Sequence, residues 1–380
     1  MAAADTADFL VIGAGMAGAS AAAHLAAVGR VILLERESQP GYHSTGRSAA
    51  LFTETYGNLP VRLLTRASRG FYETRADGLA EHPILTPRGA LLYAMPGQKR
   101  LLDEAWAELS PLDASIQYLD AAATRALVPV LRPDKVVAAI HEPGAMDIDV
   151  HGLHGAYLRL LRRRGGRIVT DALVLALARR GGLWNASTPA GEFAAPIIVN
   201  AAGAWADAIA ALAGLPPIGI LPKRRTALII AAPPGIDIAG WPITIDAAET
   251  GYFKPEAGKL LVSPADETAV PPCDVQPEEL DVAIAIERLT ARTTIEVRHV
   301  ERKWAGLRCF VADKTPVCGF DPLADGFFWL AGQGGYGIQT AEGLARSTAG
   351  LIAANRLPDD LAGLGLDPAI LSPARFRGRG

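Results

Sequence analysis

The sequence has little cysteine, no strong excess of charge of either sign and no long apolar run. Its 3 cysteines, Cys273, Cys309 and Cys318, lack the spacing of metal ligands and give no disulfide framework. The formal net charge of −3 is far from the basic balance of a nucleic-acid-binding domain. No apolar stretch approaches the roughly 18 residues that cross a bilayer. We therefore expect a protein of a reducing compartment, with no nucleic-acid partner, no metal site and no membrane span.

The N-terminus lacks the pattern of a secretory leader. MAAADTADFLVIGAG has no basic segment followed by an apolar stretch and a cleavage site. We therefore expect no signal peptide and a cytoplasmic location, either free or peripheral to a membrane. The hydrophobic content of 50% is sufficient for one large core or two smaller ones.

The chain opens with a pattern typical of a βαβ unit. Residues 8–12 form a short apolar run, residues 16–28 are rich in alanine and leucine, and residues 30–35 form a second apolar run. Short continuous apolar runs indicate buried parallel strands, and the segment between them predicts the crossover helix. A parallel sheet follows from this unit.

The turn of this unit carries a dinucleotide-binding fingerprint. Gly13, Gly15 and Gly18 match G-x-G-x-x-G, and Glu35 ends the second strand 22 positions after Gly13. The glycines permit a tight turn, a close approach to a pyrophosphate and close helix packing, and the carboxylate can accept a ribose hydroxyl. A turn that serves packing alone is the alternative. The fingerprint does not distinguish FAD from NAD.

A small, polar stretch follows the second strand by a short loop. HSTGRSAA at 43–50 offers hydroxyls, backbone donors and a cation, which suit a second phosphate and the edge of a flavin. The residues concerned are Ser44, Thr45, Arg47, Ser48 and Ala49. An ordinary solvated helix start with a Ser or Thr cap is the alternative interpretation.

The rest of the chain alternates between two styles. Strand-like or glycine-turn segments at 166–169, 172–178, 197–203 and 327–353 resemble the opening, whereas the strands expected within 83–95, 222–232 and 238–261 and a helix at 278–292 indicate a mixed sheet. We predict an α/β fold with a Rossmann-like nucleotide-binding domain and a discontinuous α+β domain with a mixed sheet. The predicted domains are 1–80, 145–220 and 306–380 for the cofactor, and 81–144 and 221–305 for the substrate.

Several strings together resemble the D-amino-acid oxidase superfamily of flavoproteins. They are the fingerprint, HSTGRSAA, NAAGAW at 200–205, WAGLR at 304–308 and GQGGYGIQT at 332–340. HSTGRSAA, PKRR at 222–225 and GQGGYGIQT most resemble the bacterial catabolic D-arginine dehydrogenases. The resemblance covers nearly the whole chain and implies FAD bound without a covalent link.

The resemblance implies five residues at the substrate. Arg225 and Arg308 would hold the substrate carboxylate, which suits the planar fork of arginine. Tyr252 would add a phenolic hydrogen bond, and the backbone carbonyl of Gly335 would meet the amine. Tyr56 resembles the tyrosine of a mobile active-site loop, with an ordinary half-buried aromatic as the alternative.

The two arginines also have an alternative interpretation. Arg225 would then pair with a structural acid near Asp246 or Glu249, and Arg308 would lie at the surface. The neighbour of Arg225, Arg224, could also be the residue that faces the substrate instead.

The resemblance also implies further contacts with the cofactor. Ile338, Gln339 and Thr340 would lie near the flavin ring at a helix N-terminus, where backbone N–H groups stabilise negative charge. The remaining residues that it assigns to the cofactor are Arg36, Val174, Ala202, Gly203 and Gly337.

Two pocket positions depart from the arginine-specific enzymes. Those enzymes carry an acid where this chain has Ala90, and a histidine where it has Leu51. Without a carboxylate partner a guanidinium is poorly held in a dry pocket. With Ile245 nearby, the pocket is predicted to favour neutral, apolar substrates, although Glu54 could replace the lost acid.

The sequence thus predicts an FAD-dependent D-amino acid dehydrogenase or oxidase of amino acid catabolism. A hydride would pass from the α carbon to flavin N5, and the imine would hydrolyse to a 2-oxo acid and ammonia. The expected partners are a small amino acid and an electron acceptor, which is a quinone, another carrier or oxygen. His43 is a candidate proton relay, with a structural hydrogen bond as the commoner role of such a histidine.

Three other functions remain open from the sequence. One is a glycine or N-methyl amino acid oxidase of the same superfamily, in which Cys309 or Cys318 would be candidates for a covalent flavin link. The second is a flavin-binding sensor without catalysis. The third is an NAD-dependent dehydrogenase.

Overall fold

The computed structural model describes residues 4–377, apart from the side chain of Asp77. The predicted domains also include residues 1–3 and 378–380, which lie outside the described residues. The strands are β1 (Asp5–Thr6), β2 (Phe9–Ile12), β3 (Val31–Leu34), β4 (Leu51–Phe52), β5 (Leu85–Pro87), β6 (Ala90–Ala94), β7 (Gln117–Asp120), β8 (Ala138–Glu142), β9 (Met146–Ile148), β10 (Arg167–Val169), β11 (Ala176–Arg180), β12 (Leu183–Thr188), β13 (Gly191–Ala195), β14 (Ile197–Asn200), β15 (Leu221–Ile230), β16 (Ile243–Asp246), β17 (Tyr252–Glu256), β18 (Lys259–Ser263), β19 (Thr268–Ala269), β20 (Val300–Phe310), β21 (Val317–Phe320) and β22 (Phe327–Ala331). The helices are α1 (Met16–Leu25), α2 (Leu59–Glu73), α3 (Arg75–Gly78), α4 (Lys99–Leu109), α5 (Ala121–Leu127), α6 (Val150–Arg163), α7 (Ala206–Leu212), α8 (Glu279–Arg292), α9 (Ala341–Ala354), α10 (Asp359–Gly363) and α11 (Pro368–Leu371).

The predicted βαβ unit opens the fold. β2 and β3 are buried along their whole length and pair in parallel, with Phe9 opposite Val31. α1 crosses between them and buries its small side chains, so it lies close against the sheet. The helix ends at Leu25 rather than at residue 28, because the Ala27 and Val28 N–H groups bond the carbonyls three residues before them in a tighter turn, and Val28 is left exposed.

A six-stranded sheet grows from this unit in the order β10-β3-β2-β14-β22-β21. Its first five strands are parallel and β21 is antiparallel to β22. Apolar clusters cover both faces, as a parallel sheet requires. The strand predicted at 172–178 starts only at Ala176 and belongs to a separate four-stranded sheet, β1-β13-β12-β11. The parallel sheet is the expected Rossmann-like part.

A nine-stranded mixed sheet forms the second part of the fold. Its order is β19-β15-β18-β17-β16-β6-β8-β7, and β20 pairs with the other edge of β15. The β6–β16 pair is parallel and its other pairings are antiparallel. The predicted α/β fold class with a mixed second sheet is confirmed. The domain boundaries stay a prediction, and the one expected at 305/306 lies inside the continuous strand β20.

A small three-stranded sheet, β4-β9-β5, lies at the junction between the two large sheets along the chain. Phe52 of β4 pairs with Met146 of β9, and Pro87 of β5 pairs with the same residue. The chain then leaves β4 toward α2, which packs on α9. This brings the segment after β4 beside the turn before α9.

The helices in the described part of the chain are not suited to span a membrane. None of them is both long enough and apolar enough to cross a bilayer.

The packing of α1 on its turn depends on Gly18. A Cβ at this position would lie 1.8 Å from the Gly13 carbonyl oxygen, which is backbone and cannot turn away. We expect Gly18→Ala to lower the free energy of unfolding by about 1–3 kcal/mol, the usual cost of overpacking. Chemical denaturation of the apoprotein measures it.

The matched control is Gly70→Ala in α2. Gly70 is exposed in a helix interior and a Cβ there meets nothing within 4 Å. This change should stabilise the protein by up to about 1 kcal/mol, because alanine is the better helix former. Equal effects of the two substitutions would show that α1 does not need the close contact.

Candidate functional site

One elongated cavity joins the two large sheets. Its volume is ≈ 390 Å³, and it runs from the carboxyl ends of β2 and β3 to the facing side chains of β15 and β20. The predicted site residues that line it are Gly13, Gly15, Glu35, Arg36, Ser44, Thr45, Arg47, Ser48, Ala49, Val174, Ala202, Gly203, Arg225, Tyr252, Arg308, Gly335, Gly337 and Ile338. Tyr56, Gly18, Gln339 and Thr340 lie behind this lining.

The fingerprint turn forms one wall of the cavity. Gly13 has φ +100°, and a Cβ there would lie 2.6 Å from the Ala201 carbonyl, so a side chain is excluded. Gly15 lies at the start of α1, where N–H groups lack partners within the helix. The Met16 N–H donates to Thr45 Oγ1 at 2.9 Å, which ties the HSTGRSAA stretch to this turn. A helix start opened by glycine is suited to a phosphate group.

Glu35 braces the turn from the end of β3. Its carboxylate accepts the Ala14 N–H at 2.8 Å and the Glu37 N–H at 3.0 Å. Burial raises the pKa of Glu35, and these two backbone bonds partly offset the rise. A carboxylate has about four lone-pair sites, so two remain to accept hydroxyls of a ribose in the cavity.

At one end of the cavity, the cation of Arg36 lies over the aromatic ring of Trp205. The Arg36 guanidinium lies 4.6 Å from the centre of the Trp205 ring. His43 lies beside the same ring at 4.7 Å, and its Nε2 is 2.8 Å from Glu37 Oε1. His43 thus has the structural hydrogen bond that was the alternative to a proton relay. Trp205 was part of a recognised string, but nothing in the sequence indicated that its ring lies under Arg36.

Two polar side chains of the HSTGRSAA stretch are engaged by other parts of the protein. Arg47 donates to the carbonyls of Val275 at 2.9 Å and Ala305 at 3.2 Å, and it pairs with Asp274. Ser44 donates to the Leu307 carbonyl at 2.7 Å. The stretch therefore fastens the strand β20 to the nucleotide side, and the Arg47 charge is already neutralised.

Two guanidinium groups face the other end of the cavity. Arg225 lies on β15 opposite Gly306 of β20, and Arg308 lies two residues further along β20. Burial and the neighbouring Arg308 charge lower the pKa of Arg225, and its Nε is buried without a hydrogen-bond partner. Glu267, which is 41% exposed, contacts Arg225 at 3.1 Å from the outside. Since one half-exposed carboxylate faces two cations, this end of the cavity is suited to an anion.

Strand alternation separates Arg225 from Arg224. Arg224 points to the opposite face of β15, where it lies near Asp281 at 2.9 Å, Asp266 at 3.6 Å and Glu278. Its charge is therefore balanced by structural acids. The acids suggested for Arg225 are not its partners, because Asp246 is bound by Arg292 at 2.9 Å and Glu267 takes the contact with Arg225.

Two tyrosines and a glycine complete this end. Tyr252 lines the cavity from β17. The Tyr56 hydroxyl lies near the Arg308 guanidinium, and its ring packs on Tyr336 with the ring centres 5.0 Å apart. A Cβ on Gly335 would lie 3.1 Å from Arg308 Nη1 and 3.3 Å from the Tyr56 hydroxyl. Only glycine leaves that space open, so a small ligand can reach both groups.

The turn before α9 supplies a group that sequence reasoning missed. Gln333 lines the cavity, and its Nε2 is buried without a hydrogen-bond partner. Gln339, in contrast, is turned away and donates to Thr53 O at 3.3 Å and Thr65 Oγ1 at 2.9 Å. Thr340 Oγ1 donates to the Tyr336 carbonyl at 2.9 Å. The string GQGGYGIQT held both glutamines, and nothing in it indicated which one faces the cavity.

Ala90 and Ile245, two of the residues expected to make the substrate pocket apolar, share one face of the mixed sheet, whereas Leu51 lies on β4 in the small sheet. Ile245 lies directly opposite Tyr252, and Ala90 lies on the neighbouring strand β6 with Leu92 opposite Ile245. Glu54 does not replace the missing acid, because Arg69 binds it at 2.6 Å and Arg66 contacts it at 3.6 Å. The suggestion that Glu54 serves the substrate is therefore wrong.

The cysteines differ in their relation to the cavity. Cys309 lines it, Cys318 is buried against Thr348 and Cys273 is exposed. Burial raises the pKa of Cys309 to about 12. A thiol in this state is a poor nucleophile, which agrees with a cofactor held without a covalent link.

The residues present fit a dinucleotide cofactor whose ring system would lie toward Arg225 and Arg308. The glycine turn would hold a pyrophosphate and Glu35 the ribose. Gln333 supplies a free donor in the same cavity as Arg225 and Arg308, which together we call the carboxylate clamp. The start of α9 lies beside Ile338 and favours negative charge there. These features are continuous in one cavity, as a cofactor that reaches the substrate requires.

Comparison with known proteins agrees with this fit. The profile of the FAD dependent oxidoreductase family matches residues 8–351. The chain is 25% identical to dimethylglycine dehydrogenase of Mus musculus over 397 residues, covering 96% of this chain and 44% of that protein. It is 24% identical to the uncharacterized oxidoreductase YurR of Bacillus subtilis, covering 93% and 97%. The chain spans less than half the length of the dimethylglycine dehydrogenases that it matches.

Solved structures show the same fold. L-proline dehydrogenase from P. horikoshii superposes with a TM-score of 0.85 at 19% identity, covering 99% of both chains. Glycine oxidase from Geobacillus kaustophilus gives 0.81 at 21% identity, covering 96% of this chain and 99% of the other.

Binding of an anion by Arg225 and Arg308 can be tested with a simple carboxylate. Arg225→Met in the holoenzyme should weaken acetate binding by roughly 10-fold to 100-fold, because it removes a charged hydrogen-bond donor worth about 1.5–3 kcal/mol. The perturbation of the flavin absorption spectrum on titration with acetate measures this.

The adjacent Arg224→Met is the matched control. It leaves Asp266 and Asp281 buried without their cation, so it should lower the melting temperature strongly. The protein that remains folded should bind acetate as the wild type does. If Arg224→Met weakened acetate and Arg225→Met did not, the assignment of the two faces of β15 would be reversed.

Proposed function

The chain belongs to the family of FAD-dependent oxidoreductases, and on this premise we propose that it oxidises D-α-amino acids with neutral, apolar side chains to 2-oxo acids and ammonia. The observation that carries the proposal is the pair of guanidinium groups, Arg225 and Arg308, in the cavity that also contains the dinucleotide turn. A carboxylate bound by these two arginines would lie in the same cavity as the cofactor. The D configuration is proposed from the resemblance of HSTGRSAA, PKRR and GQGGYGIQT to D-arginine dehydrogenases.

FAD, when bound, supplies the acceptor for the two electrons and the hydrogen that leave the substrate α carbon. The protein's part is to bind and orient the amino acid. Arg225 and Arg308 fix the carboxylate, and the Tyr252 and Tyr56 hydroxyls lie at the same end of the cavity. The carbonyl of Gly335 would accept a hydrogen bond from the amine. Fixing both ends of a small substrate limits its orientation, which lowers the entropic part of the barrier.

Among the described residues, no side chain beside Arg225 and Arg308 is placed as a strong base. Glu267 is engaged by Arg225 and by Lys223 at 2.8 Å, and His43 lies at the other end of the cavity, bonded to Glu37. We therefore propose that the substrate binds with a neutral amine, or that its amine proton leaves to solvent. The imino acid then adds water and releases ammonia without further help from the protein.

The proposed preference for apolar side chains rests on the sheet face that carries Tyr252, a residue of the cavity lining. Ala90, Leu92 and Ile245 lie on this face, and Glu54 is bound by Arg69. A substrate guanidinium or ammonium would lie against this wall without a counter-ion, which is unfavourable in a desolvated site. The electron acceptor is proposed to be a quinone, another carrier or oxygen.

Oxidation of glycine or of an N-methyl amino acid is the second candidate. The relatives named dimethylglycine dehydrogenase and the structural neighbour named glycine oxidase favour it. The carboxylate clamp fits both classes, and they differ in the room needed at the amine and the side chain.

Anaerobic reduction of the flavin distinguishes these functions. D-leucine, D-valine and D-phenylalanine should bleach the visible flavin band faster than their L-enantiomers, D-arginine, glycine, sarcosine or dimethylglycine. Admission of air afterwards shows whether oxygen is the acceptor. Fastest bleaching by sarcosine or dimethylglycine would favour the second candidate, and no bleaching by any of these would remove both.

The apolar wall can be tested at Ala90. Ala90→Glu should raise kcat/KM for D-arginine at least about 10-fold, since a paired charge is worth several kcal/mol in a dry site. Steady-state kinetics with D-arginine and D-leucine measure the change. Ala90→Gln is the control of equal size without the charge, and a similar gain with glutamine would show that the acid is not the cause.

A further inference from the structure

A buried carboxyl group lies on the substrate side of the mixed sheet and has no part in the reaction described above. Glu142 ends β8, and its partner in the adjacent strand is Ala90. Residues opposite one another in antiparallel strands point to the same face. Glu142 therefore shares the face of Ala90, Leu92, Ile245 and Tyr252, and only 9% of the residue is exposed.

Three short oxygen–oxygen contacts close a ring around this carboxyl group. Glu142 Oε1 lies 2.7 Å from Thr53 Oγ1, and Glu142 Oε2 lies 2.5 Å from Thr55 Oγ1. The two threonine oxygens lie 2.8 Å from each other. Each of these contacts needs one proton between its oxygens.

The two hydroxyl groups supply only two protons for three contacts. If Glu142 were ionised, it could only accept, and the contact between Thr53 and Thr55 would have no proton. With a protonated carboxyl, Glu142 donates to Thr53, Thr53 donates to Thr55, and Thr55 donates to the second oxygen of Glu142. Thr53 Oγ1 also accepts the Thr55 N–H at 3.3 Å, which the same arrangement allows.

The surroundings also favour the neutral acid. The charged groups that face Glu142 are Glu54 and Asp113, both anionic, and burial raises the pKa of Glu142 above its ordinary value. Arg62, from α2, reaches the same segment but donates to the Thr55 carbonyl at 2.9 Å and pairs with Glu108. Within the described part of the chain, Glu142 has no ion-pair partner.

The ring holds the segment that carries Tyr56. Thr53 and Thr55 lie within the three residues before this tyrosine, whose hydroxyl lies near Arg308 and whose ring packs on Tyr336. Gln339 fixes the Thr53 carbonyl from the turn before α9. The same short segment is thus held from the mixed sheet by Glu142 and from the cofactor side by Gln339.

We propose that Glu142 is protonated in the working enzyme and acts as a positioning residue, closing a ring with Thr53 and Thr55 that holds Tyr56 against the carboxylate clamp. The effect on Tyr56 rests on the proposed function, whereas the proton does not. The ring also makes this part of the substrate wall uncharged, so Glu142 is no counter-ion for a cationic side chain.

The sign of the pH effect follows from the direction of the pKa. A carboxyl whose pKa is raised in the folded protein stabilises it below its unfolded pKa, and this stabilisation is lost as the pH rises through the folded pKa. Ionisation removes one proton from the ring and leaves one contact without a donor. Tyr56 then loses its support, so KM should rise at alkaline pH more than kcat falls.

Infrared difference spectroscopy of the holoenzyme tests the proton directly, without any substrate. At neutral pH the wild type should show the carbonyl stretch of a protonated carboxylic acid that Glu142→Gln lacks. Thr55→Val removes the hydrogen bond to that carbonyl and should move the band to higher frequency. This second variant keeps the test decisive if Glu142→Gln does not fold. Absence of a band that either variant alters would overturn the proposal.

Kinetics test the positioning role. The alkaline rise of KM for the best D-amino acid should coincide with the loss of the infrared band, and Glu142→Gln should lack this rise, because an amide supplies the third proton at every pH. Thr53→Val opens the ring and should raise KM about 10-fold at neutral pH, equal to 1.4 kcal/mol. An unchanged KM in Thr53→Val, or the same alkaline rise in Glu142→Gln, would refute the role.

The two proposals fail differently. If the band is present and no amino acid reduces the flavin, the proposed function is wrong and the proton stands. If D-amino acids are oxidised and the band is absent, Glu142 is ionised and the inference is wrong.

Discussion

The arrangement of the site depends on an unequal neutralisation of charge across one strand. β15 carries Arg224 and Arg225 on opposite faces. On one face three acids surround Arg224, whereas on the other a single half-exposed glutamate contacts Arg225 beside the guanidinium of Arg308. Two cations kept near each other in a desolvated cavity are unfavourable unless an anion joins them. The two arginines therefore demand an anion, such as a carboxylate, at their end of the cavity that also contains the glycine turn.

This demand is met only because the two large sheets are fixed relative to each other. Arg47 and Ser44 follow the nucleotide strand β3 in the chain but bond carbonyls of β20, the strand that carries Arg308. From the other direction, Gln339 bonds the segment before Tyr56. Polar side chains that were expected to contact the cofactor thus serve to hold the clamp in place. Their hydrogen bonds cross between elements far apart in sequence, and such bonds are worth most where they are buried.

Much of the fold followed from local patterns, and the details of the site did not. The βαβ unit, its glycine turn and the strands β6, β15, β16, β17 and β18 of the mixed sheet have a period or a turn that a short window of sequence reveals, whereas β7, β8, β19 and β20 were not predicted. The sequence left open whether Arg224 or Arg225 faces the substrate, because the face that lines the cavity depends on β20 and β19, whose pairing no local pattern gives. The withdrawal of Glu54 by Arg69, the contact of Glu267 and the free Gln333 amide are likewise long-range facts. The helices α2 and α4 were not predicted, although Pro60 lies in the first turn of α2 and Pro96 and Gly97 lie just before α4.

The clamp and the side-chain wall lie on different strands, and this separates two functions of the substrate domain. β15 and β20 present the guanidinium groups that any amino acid requires, whereas β6, β16 and β8 form the surface beside them. A change on the second set alters which side chain is accepted and leaves carboxylate binding intact. In this chain that surface has Ala90 and Ile245, and its one carboxyl group is joined to two threonine hydroxyls rather than to a cation. Because an ionised acid without a cation is costly in such surroundings, the wall is most stable when it is uncharged, and an uncharged wall discriminates against charged side chains by the desolvation they would suffer.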